Sequence, residues 1–402
     1  MGKGKMQGNT VVKAMAAIAV LIFISALALT VYRSGGAALN WQMGADDPLK
    51  KIYPSDDGLY VVGTSNISLV DAAGKTLWSI PFPNTAQSAY INGRLLVYSQ
   101  SSGLNAVGAD GTLKALTRQS MNYPPTAGPD DTILIRSYDL LSAIDLSGRE
   151  QWNASGLVSD PVMDGNGNVY FFTRPPEHMV DVYLDCISPG GSLRWSIQYP
   201  GYDSTTKLKA ARDDGVYVYD EPGGVLDCLS SYGNVRWDHT MPYLGQYSLV
   251  EDEHHWLYMF YMFGTVHVVN EQGTLIGKFN PAMTYGANLS YMPSVCNGTI
   301  YVAGDSGKNA TALYALSIDG SLKWKHTFNG SASPAIYAGK DIVCIGADTK
   351  NGPVLYVVDS LQGDLIFTYN SGDGSGWEQV YIDENDTIYA KTCGGMLYAL
   401  KG

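Results

Sequence analysis

A short pattern that ends in a tryptophan constrains this chain more than any other sequence feature. In residues 310–326 the apolar run 313–316 is followed by Asp319-Gly320 and then by Trp324. An Asp-Gly pair between two apolar runs is a strong β-hairpin signal, because tight primed turns need the positive φ that glycine adopts. Since an isolated hairpin is only marginally stable in water, this one must pack a face against further structure.

The same pattern returns along the chain at steps of 37–47 residues. Aligned on the turn glycine, the units centre on Gly74, Gly111, Gly148, Gly191, Gly233, Gly273, Gly320 and Gly363. Strand-like runs such as 58–64, 168–173 and 299–304 precede the hairpins, and no helical pattern longer than one turn interrupts them. Repeats of this length that contain only short strands predict a β-propeller or a linear array.

A tryptophan follows the turn glycine by four residues in most of these units. These tryptophans are Trp78, Trp152, Trp195, Trp237 and Trp324. The other units have Ala115, Gly277 and Phe367 at this place. Near the N-terminus, Leu39-Asn40-Trp41 repeats the L-x-W of Leu193-Arg194-Trp195 without a strand pattern before it.

Units of the form L-Y-A-L-D-x-x-G-x-x-x-W resemble the pyrroloquinoline-quinone-type β-propeller repeat. The family includes the quinoprotein alcohol dehydrogenases and the outer-membrane assembly lipoprotein of the Bam complex. The units around Asp145 and Trp152 and around Tyr314 and Trp324 are the nearest matches, and the resemblance covers about residues 39–402. The resemblance implies the fold more than a function, because the residues of the motif serve the packing of the blades. It also implies that Trp41, Trp78, Trp152, Trp195, Trp237 and Trp324 pack between neighbouring blades.

The two ends of the chain complement each other. Residues 377–402 carry three strands of a unit and lack the tryptophan strand, whereas residues 39–41 carry that strand alone. Pairing the two would close the ring and remove exposed sheet edges. We therefore expect an all-β propeller spanning 39–402, with eight four-stranded blades, or nine if this composite blade adds to all the other units.

The N-terminus predicts a membrane segment. Residues 14–32 contain no charged side chain and, at 1.5 Å per residue, would span about 28 Å as a helix. Lys3, Lys5 and Lys13 precede this run, which favours a short cytoplasmic N-terminus (1–13), a single transmembrane signal anchor and a linker (33–38). The alternative is a cleaved signal peptide with its site at Ala26-Leu27-Ala28. Both interpretations place the propeller outside the cytoplasm, at the cell membrane if the anchor is kept.

The charge balance narrows the classes of partner. Of 26 Lys and Arg residues four precede residue 39, whereas all 38 Asp and Glu residues follow it. Such an acidic propeller does not suit nucleic acid, whose phosphates require a basic surface, and it does not suit anionic lipid. A protein or glycan partner outside the cytoplasm fits this charge, as does simple solubility.

The cysteines and histidines offer little chemistry. Five cysteines include no adjacent pair and no C-x-x-C-H, whereas the resemblance implies an adjacent cysteine disulfide in the quinone-dependent enzymes. We therefore predict no cofactor. Asp252, His254 and His255 are the candidates for a metal site, and an exposed polar turn is the interpretation that we favour for them.

Seven Asn-x-Ser/Thr sequences are possible glycosylation sites. They lie at Asn66, Asn153, Asn288, Asn297, Asn309, Asn329 and Asn385. Asparagine, serine and threonine also concentrate in turns, so the composition of a turn-rich chain explains them equally well.

Three classes of function remain. A membrane-anchored, non-catalytic binding or assembly scaffold needs only the rigid faces of a propeller, and this is the function that we favour. An enzyme, quinoprotein-like or other, would need convergent charged side chains around the central funnel. A sensor ectodomain would need a partner, because thirteen residues before the anchor are too few for an output domain.

Overall fold

The structure is a computed structural model. It describes residues 38–44, 49–175, 181–200, 202, 206–212, 214–220, 224–240, 247–261, 264–287, 293–307, 309–383 and 386–401. The predicted cytoplasmic segment, transmembrane anchor and most of the linker, residues 1–37, lie outside the described residues. Among the described residues, no helix has the length and apolar character needed to cross a membrane.

The described residues form nine antiparallel sheets of four strands each. We number these sheets as blades in chain order, with blade one formed by residues 49–81 and blade eight by residues 331–370. Blade nine is composite: three of its strands lie within residues 377–401, and its fourth strand is formed by residues 38–43. The expected all-β propeller of four-stranded blades is confirmed, and the favoured count of eight is wrong because the composite blade adds to eight complete ones.

The strand bounds repeat the same four-strand unit. Strands β1–β13 are β1 (Ala38–Met43), β2 (Leu49–Ser55), β3 (Gly58–Gly63), β4 (Asn66–Val70), β5 (Thr76–Pro81), β6 (Gln87–Ile91), β7 (Arg94–Ser99), β8 (Gly103–Val107), β9 (Leu113–Thr117), β10 (Thr126–Ala127), β11 (Ile133–Ser137), β12 (Leu140–Ile144) and β13 (Glu150–Ser155). Strands β14–β25 are β14 (Val162–Met163), β15 (Val169–Thr173), β16 (Tyr183–Ile187), β17 (Leu193–Gln198), β18 (Thr206–Ala210), β19 (Val216–Asp220), β20 (Val225–Leu229), β21 (Val235–Thr240), β22 (Tyr247–Glu251), β23 (Leu257–Tyr261), β24 (Val266–Val269) and β25 (Leu275–Phe279). Strands β26–β36 are β26 (Ser294–Cys296), β27 (Thr299–Asp305), β28 (Ala310–Leu316), β29 (Leu322–Asn329), β30 (Ser331–Ala338), β31 (Ile342–Thr349), β32 (Gly352–Asp359), β33 (Leu365–Asn370), β34 (Trp377–Ile382), β35 (Ile388–Thr392) and β36 (Leu397–Lys401).

The sequence pattern explains which strands are buried. The second strand of most blades is a continuous apolar run buried on both faces, as in β15 and β23. The fourth strand alternates between exposed and half-buried residues, as in β17 and β21. A continuous apolar run suits a strand covered on both faces, and alternation suits a strand with one face in water. Contacts between the first strands of neighbouring blades place those strands innermost.

The hydrophobic core is divided among the interfaces between blades. One apolar cluster joins each pair of neighbours, including Trp41, Ile52 and Leu397 between blades nine and one. The β1–β36 pairing, with Trp41 opposite Ala399, completes blade nine from both ends of the chain. Nine such clusters account for nine interfaces, so the described residues form a closed ring.

Among the described residues, one short helix interrupts the all-β pattern, between blades six and seven. Helix α1 (Pro281–Tyr285) begins after Asn280, whose side chain accepts a hydrogen bond from the backbone N–H of Met283. It ends at Gly286, which has φ +72°. An asparagine cap, a proline in the first turn and a left-handed glycine are the residues that favour such a helix. Tyr285 reaches the next blade, where its hydroxyl donates to the carbonyl of Gly320.

Candidate functional site: the axial channel and the turn ends

The first strands of blades three to six enclose a cavity of about 670 Å³ along the axis of the ring. Its wall is largely apolar, with Val162, Met163, Leu208 and Leu249 among the lining residues. Among the described residues that line it, Lys209 is the one charged side chain. The described residues in this part of the channel therefore do not bring together the convergent charged side chains that an enzyme would need.

The direction of the strands gives the two ends of the ring different turns. Because neighbouring strands are antiparallel, the turns after the first and third strands lie at one end and the turns after the second and fourth lie at the other. We call the end that carries the turns after the first strands the acidic turn end. Its exposed carboxylates in those turns are Asp56, Asp57, Asp130, Asp131, Glu253, Asp341 and Asp386. The exposed cationic side chains in the same described turns are Arg212 and Lys340.

The acidic turn end contains a depression between blades two, three and four. This cavity of about 390 Å³ is lined by Asn92, Asp130, Asp131 and the turn Asp164–Gly167, among other residues. Asp130 and Asp131 have φ values of +49° and +61°. Asn and Asp are the non-glycine residues that tolerate this left-handed region, so the tight turn itself selects a short polar side chain here.

Other carboxylates at this end maintain the fold. One oxygen of Asp164 accepts from the backbone N–H groups of Asn166 and Asn168 at 3.0 and 2.9 Å, and the other accepts from the Tyr170 hydroxyl at 2.6 Å. Asp252 repeats the arrangement in blade six, with Tyr258 as the hydroxyl donor at 2.8 Å. Burial, followed by the hydrogen bond to the carboxylate, raises the pKa of both tyrosines. The carboxylate oxygens of both aspartates therefore already accept hydrogen bonds that stabilise their own turns.

The candidate metal residues are only partly brought together. Ligand atoms of Asp252, Glu253 and His254 lie within 4.8 Å of one another, and the Nδ1 atom of His254 is 3.7 Å from Asp252. His255 turns away and places its Nδ1 atom 3.2 Å from Glu251. Since both oxygens of Asp252 already accept hydrogen bonds from the turn, this cluster fits a structural turn better than an ion site.

Each of the six tryptophans contacts the turn glycine of the following blade. A Cβ atom added to Gly74 would lie 2.3 Å from the Trp41 ring, and one added to Gly363 would lie 2.4 Å from the Trp324 ring. The indole N–H of Trp324 donates to the Ser360 carbonyl at 3.0 Å. Equivalent indole hydrogen bonds to the next blade come from Trp41, Trp78, Trp195 and Trp237. Trp152 has the same ring contact, but its buried N–H has no partner among the described residues.

The possible glycosylation sites that the structure describes lie on the surface. Asn66, Asn153, Asn297, Asn309 and Asn329 are exposed. Asn288 and Asn385 lie outside the described residues. Surface exposure is necessary for modification and does not establish it.

The cysteines are free thiols in the structure, and three of them are buried. Burial raises the pKa of the Cys186 thiol to about 12, because the thiolate is disfavoured in apolar surroundings. Cys186 and Cys228 both belong to the apolar clusters between blades. Both residues therefore pack as small core side chains.

Sequence reasoning missed a histidine pair between blades five and six. The Nδ1 atom of His267 lies 3.3 Å from His239 and 3.2 Å from the Tyr261 hydroxyl. His267 is 3% exposed, and its Nε2 atom has no partner among the described residues. Burial, then His239 and Lys278, lower the pKa of His267 to about 4. Its position on β24 matches Asp185 and Asp227 in blades four and five, which an alignment of the third strands would have shown.

Sequence reasoning also missed Arg136, which lies near the end of β11 on the side of the ring opposite the acidic turn end. Its guanidinium forms an ion pair with Asp160 and lies 4.2 Å from the centre of the Tyr123 ring. These residues line a cavity of about 180 Å³. The chain separation of the three residues hides this contact in the sequence.

Comparisons with known proteins identify the fold. No protein-family model matches the sequence, and no curated protein matches it. BamB from Moraxella catarrhalis superposes with a TM-score of 0.53 at 12% identity, covering 92% of this chain and 98% of the other. In fold, the chain resembles BamB. The predicted resemblance to the pyrroloquinoline-quinone-type propellers is thereby confirmed for the fold.

Two further solved structures show how widely this fold is shared. A eukaryotic initiation factor gives a TM-score of 0.63 at 11% identity, covering 81% of this chain and 89% of that one. The C-terminal WD40 domain of Sif2 gives 0.52 at 11% identity, covering 91% and 98%. Because proteins with such different names share the architecture, function must be argued from the surfaces of this chain.

Proposed function

We propose that this chain is a non-catalytic propeller scaffold whose acidic turn end binds a basic segment of a protein partner. The observation that carries the proposal is that turns of five of the nine blades place exposed carboxylates at one end of a closed ring. Complementary charge steers association and fixes orientation. The depression beside Asp130 and Asp131 offers a concave place for such a segment.

The proposed setting is the outer side of the cell membrane, with the ring held by the N-terminal anchor. Strand β1 is the fourth strand of blade nine and begins at Ala38, so the chain enters the ring at the acidic turn end. If the helix ends at Tyr32, the linker spans at most about 20 Å. The acidic turn end would then lie within reach of juxtamembrane segments of membrane-bound partners.

Site-specific photo-crosslinking of the full chain in its native membranes tests this function. A crosslinker at Asp341, an exposed residue in the turn after the first strand of blade eight, should capture a protein, and the captured amount should fall when salt is raised. Asp130→Asn/Asp131→Asn should reduce capture at least about tenfold, because asparagine keeps the left-handed turn and removes both charges.

The matched control is Asp139→Asn/Asp181→Asn, which removes two carboxylates from turns at the opposite end. This variant should capture as much protein as the parent. Equal loss in both variants, or no loss in either with thermal unfolding unchanged, would refute the acidic turn end as the binding surface.

A further inference from the structure

A polar groove lies between blades seven and eight, at the end of the ring opposite the acidic turns. It encloses about 750 Å³. Its lining includes the side chains of Asn309, Asn329, Asn351 and Asn370, together with Tyr356. We call these five residues the amide groove.

Unusually long strands form the walls of the amide groove. Strands β29, β31 and β32 have eight residues each, whereas β19 and β20 in blade five have five. Three further residues extend a strand by about 10 Å. The extra length lies at the groove end, where Thr349 pairs with Gly352 beyond the bounds of the shorter blades.

The backbones of blades seven and eight approach each other closely at the floor of the amide groove. Gly330 has φ +108° and donates its N–H to the Asn309 carbonyl at 2.8 Å. A Cβ atom at Gly330 would lie 2.7 Å from the Asp348 carbonyl oxygen. Glycine is therefore required for the blades to meet here.

Two side chains of the amide groove are held in place by the fold. The Asn370 amide donates to the Asn351 carbonyl at 3.2 Å and accepts from the Gly372 N–H at 2.9 Å. The Tyr356 hydroxyl donates to the Asn329 carbonyl at 3.0 Å, and its ring packs 4.5 Å from that of Phe328. Side chains fixed in this way lose little conformational entropy when a ligand binds.

The other three amides are free to contact a ligand. The side chains of Asn309, Asn329 and Asn351 are exposed and make no hydrogen bond to any described residue. Each amide offers two donors and an acceptor. The charges in the lining are one acid, Asp348, and one base, Lys350.

We propose that the amide groove binds a neutral saccharide supplied by another molecule. Sugar hydroxyls both donate and accept, which matches a wall of amides, and the apolar face of a sugar ring suits the half-buried Tyr356 ring. An anionic ligand would need several cations, and an apolar ligand would need an apolar wall. The inference does not rest on the acidic turn end, because the groove lies at the other end of the ring.

Titration of the full chain with neutral hexasaccharides tests the proposal. The chain is purified in detergent from a host without asparagine-linked glycosylation, and the probes are cellohexaose, maltohexaose, mannohexaose and chitohexaose. At least one should bind saturably, and the binding should persist in about 0.5 M salt because no ion pair is formed. Asn329→Ala/Asn351→Ala should weaken it about tenfold through two lost hydrogen-bonding groups.

Two matched controls accompany this variant. Asn40→Ala removes an exposed asparagine from β1 in blade nine, and Ser331→Ala removes the glycosylation sequence at Asn329 while keeping its amide. Both should bind like the parent, and all variants should unfold at the same temperature.

Three results would overturn the proposal. These are binding of none of the four probes, binding that the double variant leaves unchanged, and a mass spectrum of the natively produced chain with glycans on Asn309 or Asn329. In the last case the groove would hold the chain's own glycan. The two proposals can fail independently. The proposed function predicts protein capture that falls when salt is raised, whereas this inference predicts saccharide binding that persists in salt.

Discussion

Two neighbouring interfaces of the ring solve the same packing problem with different residues. Between blades seven and eight, Trp324 lies on Gly363 and donates to the next blade. Between blades six and seven, Gly277 has the place of the tryptophan, and Phe279, two residues further on, lies on Gly320 instead. Residues two apart on a strand share a face, so the aromatic contact moves along the strand and is preserved.

The comparison shows that the turn glycine is the more constant part of each interface. At Gly320 the added Cβ atom would lie 2.4 Å from the Phe279 ring, and at Gly148 it would lie 2.0 Å from the Leu116 carbonyl oxygen. Ring, side chain or backbone can therefore occupy the surface that the glycine leaves open. The positive φ of these turns also favours glycine.

The largest effect should come from removing the ring at a tryptophan interface. Trp324 is 8% exposed within the cluster between blades seven and eight. Trp324→Ala should lower the free energy of unfolding by about 3–5 kcal/mol, the range for deleting a buried aromatic side chain. Urea denaturation measures the change. Leu365→Ala, which truncates a residue 46% exposed on the neighbouring blade, should cost less than about 0.5 kcal/mol.

The next largest effect compares two turn glycines: Gly148 faces a backbone carbonyl, whereas Gly363 faces the ring of Trp324. Gly148→Ala should cost about 3 kcal/mol, because a left-handed alanine must also displace a carbonyl. Gly363→Ala should cost less, because the Trp324 ring can shift. In a double-mutant cycle, much of the Gly363→Ala cost should vanish in the Trp324→Ala background. Additive costs in that cycle would contradict the contact.

The interface between blades five and six should respond to pH. The pKa of His267 is lowered to about 4 in the fold, whereas an unfolded histidine titrates near its ordinary value of 6.5. Its contribution is therefore complete above pH 6.5 and is lost as pH falls towards 4, by up to about 3 kcal/mol. His239 and Lys278 oppose protonation of this histidine, and Asp238 favours protonation of His239.

Comparison of the parent with His267→Gln separates the pH-dependent contribution of His267 from that of the carboxylates, which titrate in both proteins. The difference in unfolding free energy between the two proteins should shrink between pH 7 and pH 4.5. A constant difference across this range would show that His267 is not held neutral by its surroundings.

The smallest effect distinguishes two tryptophans by one hydrogen bond. Trp324→Phe removes the donor to the Ser360 carbonyl and should cost about 1 kcal/mol beyond the change in ring size. Trp152→Phe removes a buried N–H that has no partner among the described residues, so it should cost less than Trp324→Phe. Thermal unfolding of the two variants checks which substitution costs more. Equal costs would mean that both indole N–H groups are equally well hydrogen-bonded.

Much of the fold could be predicted from local pattern. The Asp319-Gly320 turn, the tryptophan spacing and the unpaired strand around Trp41 depend on short stretches of chain, and each matches an element of the structure. Blade count was less accessible, because the composite blade is divided between the two ends of the sequence. The channel and the amide groove could not be predicted, since their residues are contributed by several strands or two different blades.

The sequence by itself determined the repeating hairpin, the recurrence of the tryptophan after most of the hairpin turns and the acidic balance, because these follow from spacing of a few residues and from composition. Only the tertiary structure decided which acidic residues are exposed and which are used by turns. Asp131 and Asp164 both lie in turns after the first strand of a blade, yet one faces water and the other is held by Tyr170. The reason is physical: burial and hydrogen-bond partners depend on neighbours across the ring, which lie far away along the chain.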